Sequence, residues 1–313
     1  MLASRKLEID TLRGLACILL VSYHVIGSSS TQGMRIDSGV LRDINDVFIY
    51  IRMPLFSFLS GLIYGMRPLK SNFIPFLKKK TARLLYPMLT VGTLYALLQF
   101  YVPGTNRETI NFWLMHIIPV GHYWFLEAIF LVFCLVTLFE FFNLLNSYLT
   151  SVFILVLSIV IYLLGVDVNY LSLDGFFYLL PFFLFGMMNS RFPSAVQKML
   201  TVSLAILVSY GLSVYFDFDD RALRIGIGFS FCFTLFLLKI KMKWLSYIGV
   251  YSFSIYLFHV FFTASSRIFL NYFDVLNTSL VFMVGLTAGI AGSIVIDKLL
   301  SSNSWMTHYV LGR

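Results

Sequence analysis

The feature that most constrains this sequence is a series of apolar segments, each about the length of a bilayer-crossing helix. A transmembrane helix needs about 20 largely apolar residues, because each residue adds about 1.5 Å and the hydrocarbon core is about 30 Å thick. Ten such segments are predicted at 7–27, 45–66, 82–102, 121–142, 150–166, 172–190, 198–216, 222–239, 245–269 and 278–299. We therefore predict an all-α polytopic bundle of about ten transmembrane helices, forming one membrane domain over residues 1–313.

The composition excludes a water-soluble enzyme. Hydrophobic residues make up 59% of the chain and charged residues only 12%, about half of what soluble domains carry. The three cysteines, Cys17, Cys134 and Cys232, lie inside apolar runs without the spacing of a zinc site or a disulfide framework. We read them as small core side chains and expect no metal.

The basic residues predict the orientation of the spans. If the N-terminus is cytoplasmic, the inner segments hold 15 of the 23 Lys and Arg residues, and the outer loops hold six. Cytoplasmic loops of membrane proteins are enriched in Lys and Arg. The sequence thus predicts an even number of spans with both termini in the cytoplasm, and it attributes the net charge of +8 to these loops rather than to nucleic-acid binding.

The first predicted span carries ionisable residues that a membrane helix rarely tolerates. Arg13 and His24 are eleven residues apart, which places them within about 20° of one another around a helix and about 16–17 Å apart along its axis. Asp10 lies one turn before Arg13, where a carboxylate can pair with the guanidinium, so we assign it a structural role. Charged groups inside a membrane usually face a bundle interior or a cavity. The alternatives are a satisfied core histidine and a helix-packing ion pair.

The same residues carry a family resemblance. The pattern is Ile9-Asp10, Leu12-Arg13-Gly14, Ala16 and, ten residues after the arginine, His24. It resembles the membrane-bound acyltransferase-3 family, the bacterial multi-span O-acyltransferases of surface glycans. Further blocks resemble the family in the same order along the chain: Met53-Pro54-Leu55-Phe56 with Ser60-Gly61, then Trp124-Phe125-Leu126, then Tyr251 to His259. The resemblance covers nearly the whole chain.

The resemblance implies a reaction. An acyl group, most often acetyl, would move from cytoplasmic acyl-CoA to a hydroxyl of an envelope or exopolysaccharide glycan, in the bacterial inner membrane. His24 would act as general base and Arg13 would position the donor, whose pantetheine arm is about as long as the distance between them. Arg67, Lys80 and Arg83 are candidates for the donor phosphates. Lys80 and Arg83 belong to a basic run, and such a run beside a span is more often an orientation signal or a lipid-headgroup contact.

Three further spans are predicted to bring polar residues to the depth of His24. Glu127 is a candidate catalytic residue, and Arg52, Trp124 and His259 are assigned to the acceptor side. Arg52 stands where the family often has an aromatic or small residue, so its role is not carried over, and snorkelling to the surface is its alternative. Glu127 is as consistent with a structural pair to Arg52 or a histidine as with chemistry.

A second class of function stays open at this point. A transporter or flippase of a glycan or acyl intermediate would also need polar residues in a ten-helix bundle. No paired broken helices in two inverted halves are visible in the sequence, which disfavours it. Loss of the acetyl-CoA thioester discriminates the two classes, because only the enzyme cleaves it.

Overall fold

The computed structural model describes residues 7–67, 69, 71–103, 105, 111–165, 168–192, 194–216, 219–275 and 277–313. Within these residues thirteen α-helices make up the regular structure, joined by short 3₁₀ turns and loops. They are α1 Leu7–Ile26, α2 Val40–Val47, α3 Arg52–Gly65, α4 Phe73–Tyr101, α5 Trp124–Phe141, α6 Tyr148–Leu164, α7 Leu173–Arg191, α8 Ala195–Phe216, α9 Asp219–Leu238, α10 Lys243–Val250, α11 Ser252–Tyr272, α12 Thr278–Leu300 and α13 Ser304–Tyr309.

The helices confirm an all-α polytopic membrane protein. In the described part of the chain, eight helical segments are long and apolar enough to cross a bilayer. The other two predicted spans correspond to α6, which is apolar but has 17 residues, and to α8, which has 22. Each of the ten predicted segments thus falls on a helix.

Three boundaries differ from the prediction. The second span is divided, with α2 and a 3₁₀ turn preceding α3. The third span begins nine residues earlier, at Phe73, because lysine is a good helix former and lets the helix continue through the basic run. The ninth span is divided at Tyr251 into α10, which packs closely against α1, and α11.

The chain folds into two compact units. The first unit comprises the described residues of Met1–Ile49, Tyr86–His116 and Ile240–Arg313, and the second comprises those of Tyr50–Leu85 and Ile117–Lys239. Helix α4 contributes residues to both. Whether the units act as one domain stays a prediction.

Helices α1 and α10 of the first unit touch through their backbones. A Cβ atom on Gly14 would overlap the carbonyl oxygen of Leu245, and one on Gly249 would overlap that of Asp10. Lipid tails are as apolar as side chains, so membrane helices gain their attraction from close packing, which small residues permit. These glycines hold the start of α1 in place.

The directions of the helices in the first unit agree with the predicted alternation. Gly285 and Gly289 of α12 receive Val25 and Val21 of α1, so the two helices run antiparallel. Near the other end of α12, Arg313 pairs with Asp297. The start of α1 and Arg313 lie at the same end of this unit, as an even number of spans requires. Which side of the membrane this end faces stays a prediction.

The second unit is built around a parallel pair, α3 and α7. A Cβ atom on Gly61 would overlap the carbonyl oxygen of Phe183, and one on Gly65 would overlap that of Met187. The positions in contact increase together along both helices, so both run in the same direction. This agrees with the alternation predicted for the second and sixth spans.

Candidate functional site

Helix α1 carries the predicted ion pair. Nη1 of Arg13 lies 3.1 Å from Oδ1 of Asp10. Asp10 is 4% exposed, whereas the Arg13 side chain keeps about a third of its surface (35%) exposed. The carboxylate is neutralised where it is buried, and the guanidinium can still meet a ligand. Helix α1 is unbroken from Leu7 to Ile26, which confirms that Arg13 and His24 lie on one face of one helix.

The face between these residues is closed. Cys17 and Leu20 lie on it and are buried, and the Cys17 Sγ lies 3.9 Å from the carbonyl oxygen of Ser252 on α11. The packing of buried Cys17 against α11 therefore interrupts the face that Arg13 and His24 share. A ligand reaching from Arg13 to His24 along this face requires the two helices to separate.

His24 contacts a second histidine. Its ring centroid lies 4.8 Å from that of His259, with the rings inclined at 61°. His24 is half-buried in the last turn of α1, and His259 of α11 is fully buried. The predicted convergence of these two residues is therefore confirmed.

The hydrogen bonds of His259 define its tautomer. Its Nδ1 lies 2.7 Å from the carbonyl oxygen of Ile255 and 3.0 Å from that of Tyr256. A carbonyl oxygen only accepts, so Nδ1 carries a proton, and in the neutral ring Nε2 carries the lone pair. The ring is held by its own helix while it supports His24.

Two polar residues of α2 bind the C-terminal end of α1. Arg42 Nη1 and Asn45 Nδ2 donate to the carbonyl oxygen of Gly27, at 2.6 and 3.3 Å. Gly27 has φ +98°, which glycine adopts readily when it ends a helix. A cation at a helix C-terminus is favourable, and both contacts fix the turn that carries His24. The sequence did not predict this contact, because Arg42 and Asn45 lie on a different helix from the residue that they bind.

Glu127 and Arg52 are both buried in the second unit. Ser172 Oγ donates to Oε2 of Glu127 at 2.7 Å, and Glu127 is 8% exposed. Arg52, the first residue of α3, is 3% exposed, so its guanidinium does not reach the surface. The pairing of Glu127 with Arg52 stays a prediction. The meeting of Glu127 and Arg52 with the two histidines at one site also stays a prediction, because His24 and His259 belong to the other unit.

The predicted donor-binding cations have different surroundings. Lys80 Nζ lies 3.5 Å from the ring centroid of Phe133 and 5.3 Å from that of Phe76, a cation–π arrangement. Arg83 is half-buried on the same helix, and Arg67 is exposed just after α3. A role for any of them in binding phosphates stays a prediction.

Two buried carboxylates with arginine partners were not predicted from the sequence. Glu140 lies 2.5 Å from Nη2 of Arg191 and accepts from the hydroxyl of Tyr64 at 3.2 Å. Asp297 lies 2.6 Å from Nη2 of Arg313. Each carboxylate lies near the end of its helix. That position alone does not indicate an ion pair, because the sequence does not show which arginine lies beside it.

A cavity of about 480 Å³ lies in the second unit beside Trp124, which was assigned to the acceptor side. Its lining combines aromatic and polar side chains from α5, α6, α7 and α9: Trp124, Tyr162, Tyr178, Asp174, Arg221 and Arg224. Apart from Trp124, the sequence did not single out these side chains, because their positions are far apart along the chain.

Comparison with known proteins agrees with this description. The family profile described as "Acyltransferase domain" matches residues 6–298. A curated relative, Nodulation protein NolL of Sinorhizobium fredii (strain NBRC 101917 / NGR234), is 27% identical over 192 residues, which are 60% of this chain and 50% of that protein. The chain therefore spans about half the length of this relative. No solved structure is significantly similar to the chain described here. Because the profile covers nearly the whole chain, including the Arg13-to-His24 pattern, this multi-span membrane protein belongs to the acyltransferase-3 family.

Proposed function

We propose that this protein is an O-acyltransferase of the bacterial inner membrane. It transfers an acyl group, acetyl in the first instance, from cytoplasmic acyl-CoA to a hydroxyl of an envelope or exopolysaccharide glycan. Family membership supports acyl transfer. The assignment depends above all on the contact between half-buried His24 and fully buried His259. His24 lies in the last turn of α1, and Arg13 lies on the same face of that helix.

The chemistry follows from an imidazole that can accept a proton. His24 takes the proton of an acceptor hydroxyl while the hydroxyl oxygen attacks the carbonyl carbon of the thioester. The tetrahedral intermediate collapses with cleavage of the carbon–sulfur bond, and the departing thiolate takes the proton from the His24 imidazolium. The products are the O-acyl ester and free CoA, and His24 returns to its neutral form.

We assign His259 a positioning role, which replaces its placement on the acceptor side. Its Nδ1–H is bound to the backbone of α11, and its ring lies against His24. A base that is held by a second group loses less entropy on reaching the transition state. His259 thus keeps the His24 ring in one orientation.

Arg13 meets the donor in this proposal. Asp10 neutralises part of its charge, and its exposed surface can bind a phosphate, with Arg67, Lys80 and Arg83 as further candidates. Because Cys17 and Leu20 close the face above Arg13, entry of the pantetheine arm requires α1 and α11 to separate. Such an opening step is common in enzymes that exclude water from a reactive intermediate. Arg52 and Glu127 remain proposals for the acceptor side.

Purified full-length protein in lipid nanodiscs with radiolabelled acetyl-CoA tests the function. We expect thioester loss and acetylation of a glycan acceptor, with His24→Gln slowing both by about 100-fold or more. His308→Gln is the matched control, because this exposed histidine lies outside the site.

Two results contradict the proposal. One is an intact thioester with the wild-type protein while a glycan or acyl intermediate still crosses the membrane, which indicates a transporter or flippase. The other is a His24→Gln variant with the wild-type rate.

A further inference from the structure

The cavity of the second unit has the lining of a carbohydrate site. We propose that it is an acceptor subsite that binds one pyranoside unit of the glycan; its role in catalysis rests on the proposed function, whereas sugar binding does not. Its volume of about 480 Å³ lies within the range of about 300–1,000 Å³ that is usual for small-molecule sites.

One wall of the cavity is aromatic. The rings of Tyr162 and Tyr178 lie 5.5 Å apart with an angle of 32° between them. Trp124 packs across Gly175, where a Cβ atom would meet the indole ring at 2.5 Å. Pyranosides have apolar C–H faces as well as hydroxyl edges, so flat, amphipathic rings suit them. The indole ring fits here because Gly175 has no side chain.

The polar part of the cavity lining is held in position by its neighbours. Arg224 Nε donates to Asp220 at 2.9 Å, and the Tyr50 hydroxyl donates to the other oxygen of Asp220 at 3.0 Å. The Arg221 guanidinium occupies the space that a side chain on residue 165 would fill, and Gly165 has φ +78°. The Arg224 guanidinium is thus fixed by its ion pair before any ligand arrives, which lowers the entropy cost of binding.

The charges favour a neutral sugar over an anion. Asp174 lies on the exposed rim of the cavity, and Asp220 is paired with Arg224. The carboxylates offset the two guanidinium charges, so a free phosphate gains little net attraction. Guanidinium donors beside carboxylate acceptors are what a row of sugar hydroxyls requires, because each hydroxyl both donates and accepts.

Saturation-transfer NMR with the full-length protein in nanodiscs tests the proposal without acyl-CoA. The probes are the methyl pyranosides of glucose, galactose, mannose and glucuronic acid, with inorganic phosphate as competitor. We expect at least one neutral pyranoside to bind and phosphate not to displace it. Trp124→Ala and Asp174→Asn should each weaken binding at least tenfold. The matched controls Trp113→Ala and Asp37→Asn, at exposed positions of the first unit, should not.

Three results overturn the inference: no neutral pyranoside binds to the wild-type protein, both cavity variants bind as well as wild type, or phosphate displaces the sugar. Asp174 is exposed, so Asp174→Asn should fold, and its sugar binding can be measured even if Trp124→Ala does not fold. Lost binding with persisting thioester transfer removes only this subsite. Persisting binding with no thioester loss removes only the proposed reaction.

Discussion

At the scale of single residues, the contact between His24 and His259 decides how the first helix is interpreted. A lone histidine in a membrane helix is often a satisfied core residue. Here a second imidazole, 235 positions later in the sequence, lies against it and is itself fixed by two carbonyl oxygens. A purely structural histidine does not need such a support.

Replacing His259 should therefore change the reactivity of His24 rather than donor binding. For His259→Gln we expect kcat to fall about 10- to 100-fold, as when an orienting partner of a histidine is removed, with little change in the KM for acetyl-CoA. The limb of the pH–rate profile that reports the His24 imidazole should also move, which a loss of folded protein alone does not produce. An unchanged kcat and profile would show that the ring contact has no positioning role.

The ion pair between Arg313 and Asp297 predicts an asymmetric effect on stability. Asp297 is buried, whereas the Arg313 side chain is one third exposed. Arg313→Ala leaves a buried carboxylate without its partner and should lower the free energy of unfolding by about 3 kcal/mol. Asp297→Asn leaves a guanidinium that can turn towards water, so its cost should be clearly smaller. Thermal unfolding in detergent measures both, with Arg35→Ala as an exposed control, and the reverse order would refute this account.

At the scale of secondary-structure elements, backbone contact at glycines sets the helix pairs. Gly61 of α3 has no room for a side chain, whereas Gly226 of α9 has no atom within 4 Å of the position where a Cβ would be placed. Gly61→Ala should push α3 from α7 and destabilise the protein by about 1–3 kcal/mol. Gly226→Ala should be neutral or stabilising by up to about 1 kcal/mol, because alanine favours a helix. Equal melting temperatures for the two variants would mean that α3 and α7 can move apart at little cost in free energy.

At the scale of the whole molecule, the basic residues predict that both termini are cytoplasmic. Single cysteines can report this side, because Cys17 and Cys232 are buried and unreactive and the half-buried Cys134 can be replaced by alanine. In that background, Ser38→Cys should react with a membrane-impermeant maleimide in intact cells. Ser302→Cys should react only after permeabilisation. The opposite pattern would invert the topology and place Arg13 on the outer side.

Much of this architecture was determined by the sequence alone. Apolar runs of fixed length must cross a bilayer as helices, because a backbone in hydrocarbon has to satisfy its own hydrogen bonds. Helical periodicity likewise determined that Arg13 pairs with Asp10 and shares a face with His24. These are local properties, which depend on residues within a few turns of one another.

Only the tertiary structure decided which side chains meet across helices. The contact of His259 with His24, the cap that Arg42 places on α1, the closure by Cys17 and Leu20 and the lining of the cavity beside Trp124 all join distant parts of the chain. Such contacts depend on how each helix is rotated about its axis and where glycines allow two backbones to approach. Hydropathy does not carry that information, because lipid and a neighbouring helix are equally apolar surroundings.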